Sequence, residues 1–309
     1  MPRLQSHMIQ EDFNMDNTSI VLRTDRLQVE IAPPGIDYCG SRYDWSSMVT
    51  QVTLDGRHTF LSGERYAGGG TGMGGRGLAG CIEWDTTELY DEVDLADSFP
   101  MLGIGLVKKG DTLPFQFNKA YAVTAPFRRT VQATETSCTI VTDPILSNGI
   151  AVEQTKTYTL EGTALTARNT LRNVGSRPVH AKEFVHNFFC FDEHSIDGSY
   201  CLTLPFPVQP RFRRGELAVG CQTLRPYAFD GPTDSTAAFV DGWQGLRSHT
   251  MRLENRETGT AVTVKDDFPP CHFYFWSNPS AFCPEVFCKI DLEPGESLEY
   301  TRTYSFSTF

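Results

Sequence analysis

The chain has 309 residues, 40% of them hydrophobic and 21% charged, with a formal net charge of −11. That balance supports a sizeable buried core, and the acidic surface is a poor match for a phosphate backbone, so nucleic acid is excluded as the natural partner. No stretch approaches the roughly 20 apolar residues that span a bilayer, so no membrane partner is expected.

Residues 1–18 are polar and lack an apolar core, which predicts a tail or edge segment rather than a secretory leader. Residues 19–309 then form one domain. Residues 19–31 read as a hairpin ended by Pro33-Pro34-Gly35. A strand over 48–54 meets Asp55-Gly56, a strong hairpin signal, and returns over 58–61. The glycine-rich stretch 67–80 lacks the Gly-Lys-Ser/Thr ending and the β-α-β setting of a phosphate loop. It reads as a loop that lets backbone approach a ligand or another strand. It carries Arg76 and leads into Glu83, Trp84 and Asp85, a set that suits sugar hydroxyls and an apolar sugar face, and equally an ordinary surface loop.

Residues 85–97 read as a solvated acidic connection. Short apolar or alternating strands follow at 99–107, 115–124 and 130–141. Residues 205–235 are rich in Pro, Gly and Arg and read as a long loop. Within them Arg211-Phe212-Arg213-Arg214, the only dense basic run, reads as exposed loop. Two strands flank Glu257-Thr258-Gly259, an aromatic strand covers 272–276, and Glu293-Pro294-Gly295-Glu296 turns into a closing strand. Turn signals every 8–12 residues or so, with almost no helical periodicity, predict an all-β sandwich or barrel with very little helix.

Nine cysteines, an odd number with no Cys-x-x-Cys pair, sit mostly in apolar runs. That pattern predicts reduced, buried thiols in a cytoplasmic protein. Zinc ligation by Cys271, His272, Cys283 and Cys288 fits no common spacing, so no metal is expected.

The centre of the chain is residues 152–191. Two alternating segments around Glu161-Gly162-Thr163 form a platform, and Val174-Gly175-Ser176-Arg177-Pro178 breaks the run. A third strand delivers Lys182, Glu183, His186 and Asn187. If 182–188 is extended, Lys182, Phe184, His186 and Phe188 share one face, and Glu183, Val185 and Asn187 the other. A lone histidine in an apolar strand is more often structural. Near a lysine and an acid, however, it titrates near neutral pH, as a general acid should. Glu285, between a proline and an apolar strand, is expected to be partly buried, and such an acid usually has a partner or a function. Trp276 and Tyr274 offer flat apolar faces beside it.

The pattern Tyr158-x-Leu160, Leu165, Leu171-x-Asn173-x-Gly175-x-x-Pro178 and His186-Asn187-Phe188-Phe189 resembles the galactose mutarotase (aldose 1-epimerase) superfamily. So does the late acid Glu285 followed by Leu292-Glu293-Pro294-Gly295-Glu296. The resemblance implies a β-supersandwich whose partner is a small-molecule carbohydrate bound in a shallow cleft on one sheet, with no cofactor. It implies Glu285 as the base at the anomeric hydroxyl and His186 as the acid at the ring oxygen, on opposite sides of one acetal. It implies Arg76 as the family's substrate-binding arginine, and Glu83, Lys182, Asn187 and Trp276 are expected to position the substrate with it. The chain departs from the family at 100–105, which holds no histidine where a His-Gly-Phe is expected. The alternatives are a non-catalytic carbohydrate-binding protein, or a lyase or hydrolase on the same fold.

Overall fold

Alternation of buried and exposed side chains runs through most of the strands. In Val152–Glu161 and Ala164–Asn173 nearly every second residue faces a core, the pattern of strands with one covered face. They pair from Val152↔Asn173 to Glu161↔Ala164, and Gly162, at φ 57°, makes the tight turn between them. The computed structural model describes residues 19–46, 48–63 and 74–309. The predicted N-terminal segment 1–18 and the first half of the glycine-rich stretch lie outside the described residues.

Two ten-stranded antiparallel sheets make up the body. The first runs Ile20–Arg23, Leu27–Ile31, Val49–Leu54, Leu78–Trp84, Val179–Asn187, Ala281–Leu292, Pro270–Asn278, Thr236–Asp241, Gln209–Arg214, with His58–Thr59 added beside Val49–Leu54. The second runs Leu217–Val219, Thr223–Pro226, Tyr200–Thr203, His249–Asn255, Thr260–Asp266, Ser297–Thr308, Ala164–Asn173, Val152–Glu161, Ser137–Asp143, Arg128–Ala133. Val286, Ile290 and Phe275 of the first sheet share one core cluster with Leu165, Tyr304 and Phe306 of the second. This is the predicted all-β sandwich. Among the described residues the one α-helix is Glu88–Glu92, and no helix is long and apolar enough to cross a membrane.

The first sheet is also covered on its other face. There Ala79, Phe184, Phe188, Cys283 and Phe287 meet Tyr38 and Tyr43. Ala281–Leu292 is therefore buried at eight successive positions, Ala281 to Cys288, which explains why this stretch shows no alternation. A small sheet of Ser98–Met101, Gly105–Lys108 and Val123–Pro126 carries a third apolar cluster.

Several sequence expectations change: 99–107 and 130–141 each fall in a hairpin rather than one strand, and of 115–124 only the last two residues are in a strand. The strand pair at the chain's centre is not in the sheet that carries His186. The breaks after Asn173 and Leu292 pass the chain from one sheet to the other, and buried Asn173 ties the two crossings together through Nδ2 to the carbonyls of Arg177 and Leu292. Residues 205–235 contain the strands Gln209–Arg214, Leu217–Val219 and Thr223–Pro226. The basic run thus forms an edge strand of the first sheet, where charge and a proline at position 210 are tolerated because one side has no partner. The acidic stretch 85–97 folds partly into the helix, which buries Leu89 and Tyr90.

Gly77 enters the Leu78–Trp84 strand at φ +66°, and a Cβ there would lie 1.8 Å from the Val49 carbonyl oxygen. Gly77→Ala is expected to cost about 2–5 kcal/mol, combining left-handed strain with backbone overlap. Gly162→Ala, at φ +57° with nothing within 4 Å, should cost only about 1 kcal/mol. Guanidinium unfolding of the two variants checks the difference.

Candidate active site

The register of five strands sets one row of side chains across the outer face of the first sheet. His186 stands opposite Ala79. Val179–Asn187 pairs with Ala281–Leu292 from Val179↔Leu292 to Glu183↔Cys288, and the same register carried three residues further sets His186 beside Glu285. Tyr274 pairs with Glu285, and Phe239 with Tyr274. The strand's two faces separate as the sequence predicts, with Lys182, Phe184, His186 and Phe188 outward.

His186 Nε2 lies 3.2 Å from Glu285 Oε1, with the two side chains only 7% and 5% exposed. The imidazole stacks on Phe188 at 4.2 Å and 15°. It meets Trp276 edge-on at 5.4 Å and Tyr43 at 6.3 Å, so three aromatic rings fix its plane. His186 Nδ1 is buried with no hydrogen-bond partner among the described residues, so no second group there sets the tautomer.

Burial pushes the Glu285 carboxyl up to about 8, with Arg42 opposing the rise and Glu83 adding to it. Burial also holds His186 well below the ordinary histidine value, and Arg42 lowers it further. This corrects the expectation that His186 titrates near neutral pH. The lysine invoked for that reading, Lys182, pairs instead with Asp85 at 3.1 Å. Desolvation disfavours both charged forms, so the favoured resting state carries one proton, on the carboxyl.

The other predicted residues divide into two groups. Trp276 is half-buried against the pair. Lys182 and Glu83 oppose each other in register on the same face. Burial raises the Glu83 carboxyl and Lys182 counters it. Asn187 is turned inward and away from this face. Its Nδ2 donates to the Pro284 carbonyl at 2.6 Å, and its Oδ1 accepts from Tyr304 at 3.1 Å. Arg76 pairs with Asp37 in an exposed position and is not brought to the His186–Glu285 pair.

Arg42 is the residue that sequence reading passed over. It stacks on Tyr43 at 5.0 Å, and its charge acts on both members of the pair. Its only local signal was an arginine beside Tyr43 in a loop. No group of three His, Cys, Asp or Glu side chains is placed to hold a metal among the described residues, and none of the nine cysteines is in a disulfide.

No family model and no curated protein matches the sequence. Solved structures do match. A galactose mutarotase related enzyme from Lactobacillus acidophilus is 13% identical, with a TM-score of 0.56 over 94% of this chain and 98% of that one. A galactose mutarotase-like protein from Clostridium acetobutylicum is 12% identical, with a TM-score of 0.56 over 94% and 95%. Another from Lactobacillus casei is 13% identical, with a TM-score of 0.54 over 94% and 100%. The chain has the galactose mutarotase-like fold.

Proposed function

We propose that this protein is a carbohydrate isomerase of the aldose 1-epimerase type, in which Glu285 and His186 exchange protons with the two oxygens of a sugar's anomeric carbon. The observation that supports it most is the buried 3.2 Å contact between His186 Nε2 and Glu285 Oε1. The sequence reading had the pair on opposite sides of the acetal. A touching pair suits the chemistry better, because the anomeric hydroxyl and the ring oxygen are bonded to one carbon. Acid and base can reach both from one side.

The steps follow from proton bookkeeping. With the proton on His186, the Glu285 carboxylate takes the hydrogen of the anomeric hydroxyl. The bond from the anomeric carbon to the ring oxygen breaks, its electrons go to that oxygen, and His186 protonates it. Glu285 is now protonated and His186 neutral. Rotation about the first carbon–carbon bond turns the other carbonyl face toward the freed hydroxyl. His186 takes that hydroxyl's proton, the ring closes, and Glu285 returns its proton to the carbonyl oxygen. The resting state that burial favours is the one poised for ring closure. The two groups are close enough at 3.2 Å for the proton to move to His186 when a cyclic sugar enters.

Trp276 and Tyr274 offer half-buried rings to the sugar face. Glu83 and Lys182 are the proposed hydroxyl-binding groups, and Arg42 is the arginine that steadies the Glu285 carboxylate. Nine cysteines, none in a disulfide, support a reducing, cytoplasmic setting. Proton NMR of freshly dissolved anomers from a panel of aldoses and uronates tests the reading, with faster anomer exchange as the expected result.

The pair titrates as a unit and works while it holds one proton. Activity is expected to be level across neutral pH and to fall as pH rises through about 8, where Glu285 loses that proton. It should fall again only well into acid, where the depressed His186 gains a second one. A kcat/KM profile measures this. A rate climbing about tenfold between pH 7 and 9, as expected of a lone carboxylate base, would rule out the shared proton.

One observation favours a sugar-binding protein without turnover. The 100–105 segment gives Met101 and Ile104 to an apolar cluster and no histidine to the site. Unchanged sugar affinity in Glu285→Gln, with no anomer exchange at any pH in either protein, would establish it.

A further inference from the structure

The row that begins at His186 and Glu285 does not stop at Tyr274. It continues through Phe239 to Arg211 on the edge strand. Arg211 and Arg213 both set their guanidinium groups over the one Phe239 ring, at 5.3 Å and 5.6 Å. Phe239 in turn touches Tyr274 and His272, each at 5.1 Å. Tyr274, Trp276, Phe239 and His272 are all half-exposed. The outer face thus offers an aromatic floor that runs from the buried pair to two arginines over the Phe239 ring.

The charge at that end is partly uncommitted. Arg211 is paired with Asp241 at 2.6 Å, whereas Arg213 is exposed and makes no ion pair among the described residues. The positive field reaches inward, since Arg213 and Arg214 act on the Tyr274 phenol and Arg211 on His272. All this stands on a chain whose net charge is −11. Phe239 lies two strands from Glu285, a separation of about 10 Å at ordinary strand spacing. Such a span is longer than a sugar ring whose acid is attached directly to it.

We propose that Arg211 and Arg213 form a subsite for an anionic group carried beyond the reacting ring, so that the substrate is an acidic carbohydrate. The anion is either a phosphate ester on the reacting sugar or a carboxylate or sulfate on a second sugar unit. Phe239 gathers the two guanidinium groups at one place, and their N–H donors suit the oxygen atoms of an anion. This rests on the isomerase reading for the identity of the reacting ring, and not for the existence of the subsite. An edge strand also carries charge to discourage pairing with another chain. That role alone would leave neutral and charged sugars bound equally.

The test compares glucose with glucose 6-phosphate, and cellobiose with the corresponding glucuronyl-β-1,4-glucose, by calorimetric titration at low and high salt. In the native protein at least one charged ligand should bind about tenfold more tightly than its neutral counterpart, with the advantage fading at high salt. Arg211→Gln/Arg213→Gln should abolish that advantage and leave the unfolding temperature unchanged, since both side chains are exposed. A response confined to the phosphate pair identifies a sugar phosphate, and one confined to the disaccharides an acidic oligosaccharide. Equal affinities within both pairs, binding of none of the four, or an advantage that survives the double substitution overturns the proposal. Anomer exchange followed in parallel keeps the two readings apart. Turnover of neutral sugars without charge preference sinks the subsite alone, and charge-dependent binding without exchange sinks the isomerase alone.

Discussion

Glu285→Gln is expected to slow anomer exchange by about 10²–10⁴-fold, the range over which a positioned proton-transfer group contributes. Glutamine keeps the shape and can still meet His186 across the 3.2 Å contact, but it cannot accept and return a proton. The substitution separates chemistry from folding, because the carboxyl is already pushed up to about 8 by burial. In the native protein the folded state holds that proton while the unfolded chain, with an ordinary glutamate, releases it near pH 4. The native fold therefore loses stability as pH rises from about 4 to about 8. The glutamine variant carries no such penalty, so its unfolding temperature relative to the native protein should increase from pH 5 to pH 8. Saturation-transfer NMR gives the exchange rate and thermal unfolding at the two pH values gives the stability. Full activity in the variant would remove Glu285 from the mechanism. Lost activity with an equally large loss of stability would make the carboxyl structural.

The parts of this molecule set by local patterning were legible in the sequence. Alternation gave the strands at the chain's centre. Asp55-Gly56 and Gly259 marked the turns of two other hairpins, and the aromatic strand and late acid were visible as an apolar run with one charge in it. Glu285 was legible for a physical reason, since an ionisable group inside a doubly covered strand stands out against its neighbours. The contact between His186 and Glu285 depends on the register of strands far apart in the chain, and no local pattern encodes that. Nor does composition tell a hairpin turn from one that passes between sheets, as after Asn173 and Leu292. Arg42 was missed because its loop has no period and its position is set by Tyr43 packing against His186 and Phe188. The Arg211–Arg214 strand was read as loop because an edge strand, lacking a second neighbour, need not carry the apolar alternation of a central one.

Arg302→Met is expected to destabilise the protein by about 3–5 kcal/mol, the range for breaking a buried ion pair from one side. The guanidinium is 4% exposed and donates to Asp266 at 2.6 Å, and it lies 3.8 Å from Glu183. Those carboxylates belong to residues only 0% and 2% exposed. Methionine fills much of the volume, leaves Asp266 without its cation and leaves Glu183 with only Lys156 to oppose its charge. Burial already raises both acids, and the Arg302 charge is the main influence that pulls each back. Without it they must take up protons to remain folded. The deficit should therefore be largest at neutral pH and shrink as pH falls toward 5, where protonation costs less. Guanidinium unfolding at the two pH values measures it. A deficit under about 1 kcal/mol, or one indifferent to pH, would mean that the network is not a charge cluster held together by Arg302. The same residue bears on the site. Arg302 Nη2 donates to the Val286 carbonyl at 2.9 Å, and Asn187 holds the Pro284 carbonyl, so the backbone on both sides of Glu285 is gripped from the interior. The polar groups on the inward side of the strand thus keep the carboxyl within reach of His186. Their burial between the sheets places the acid–base pair on a rigid strand rather than on a loop.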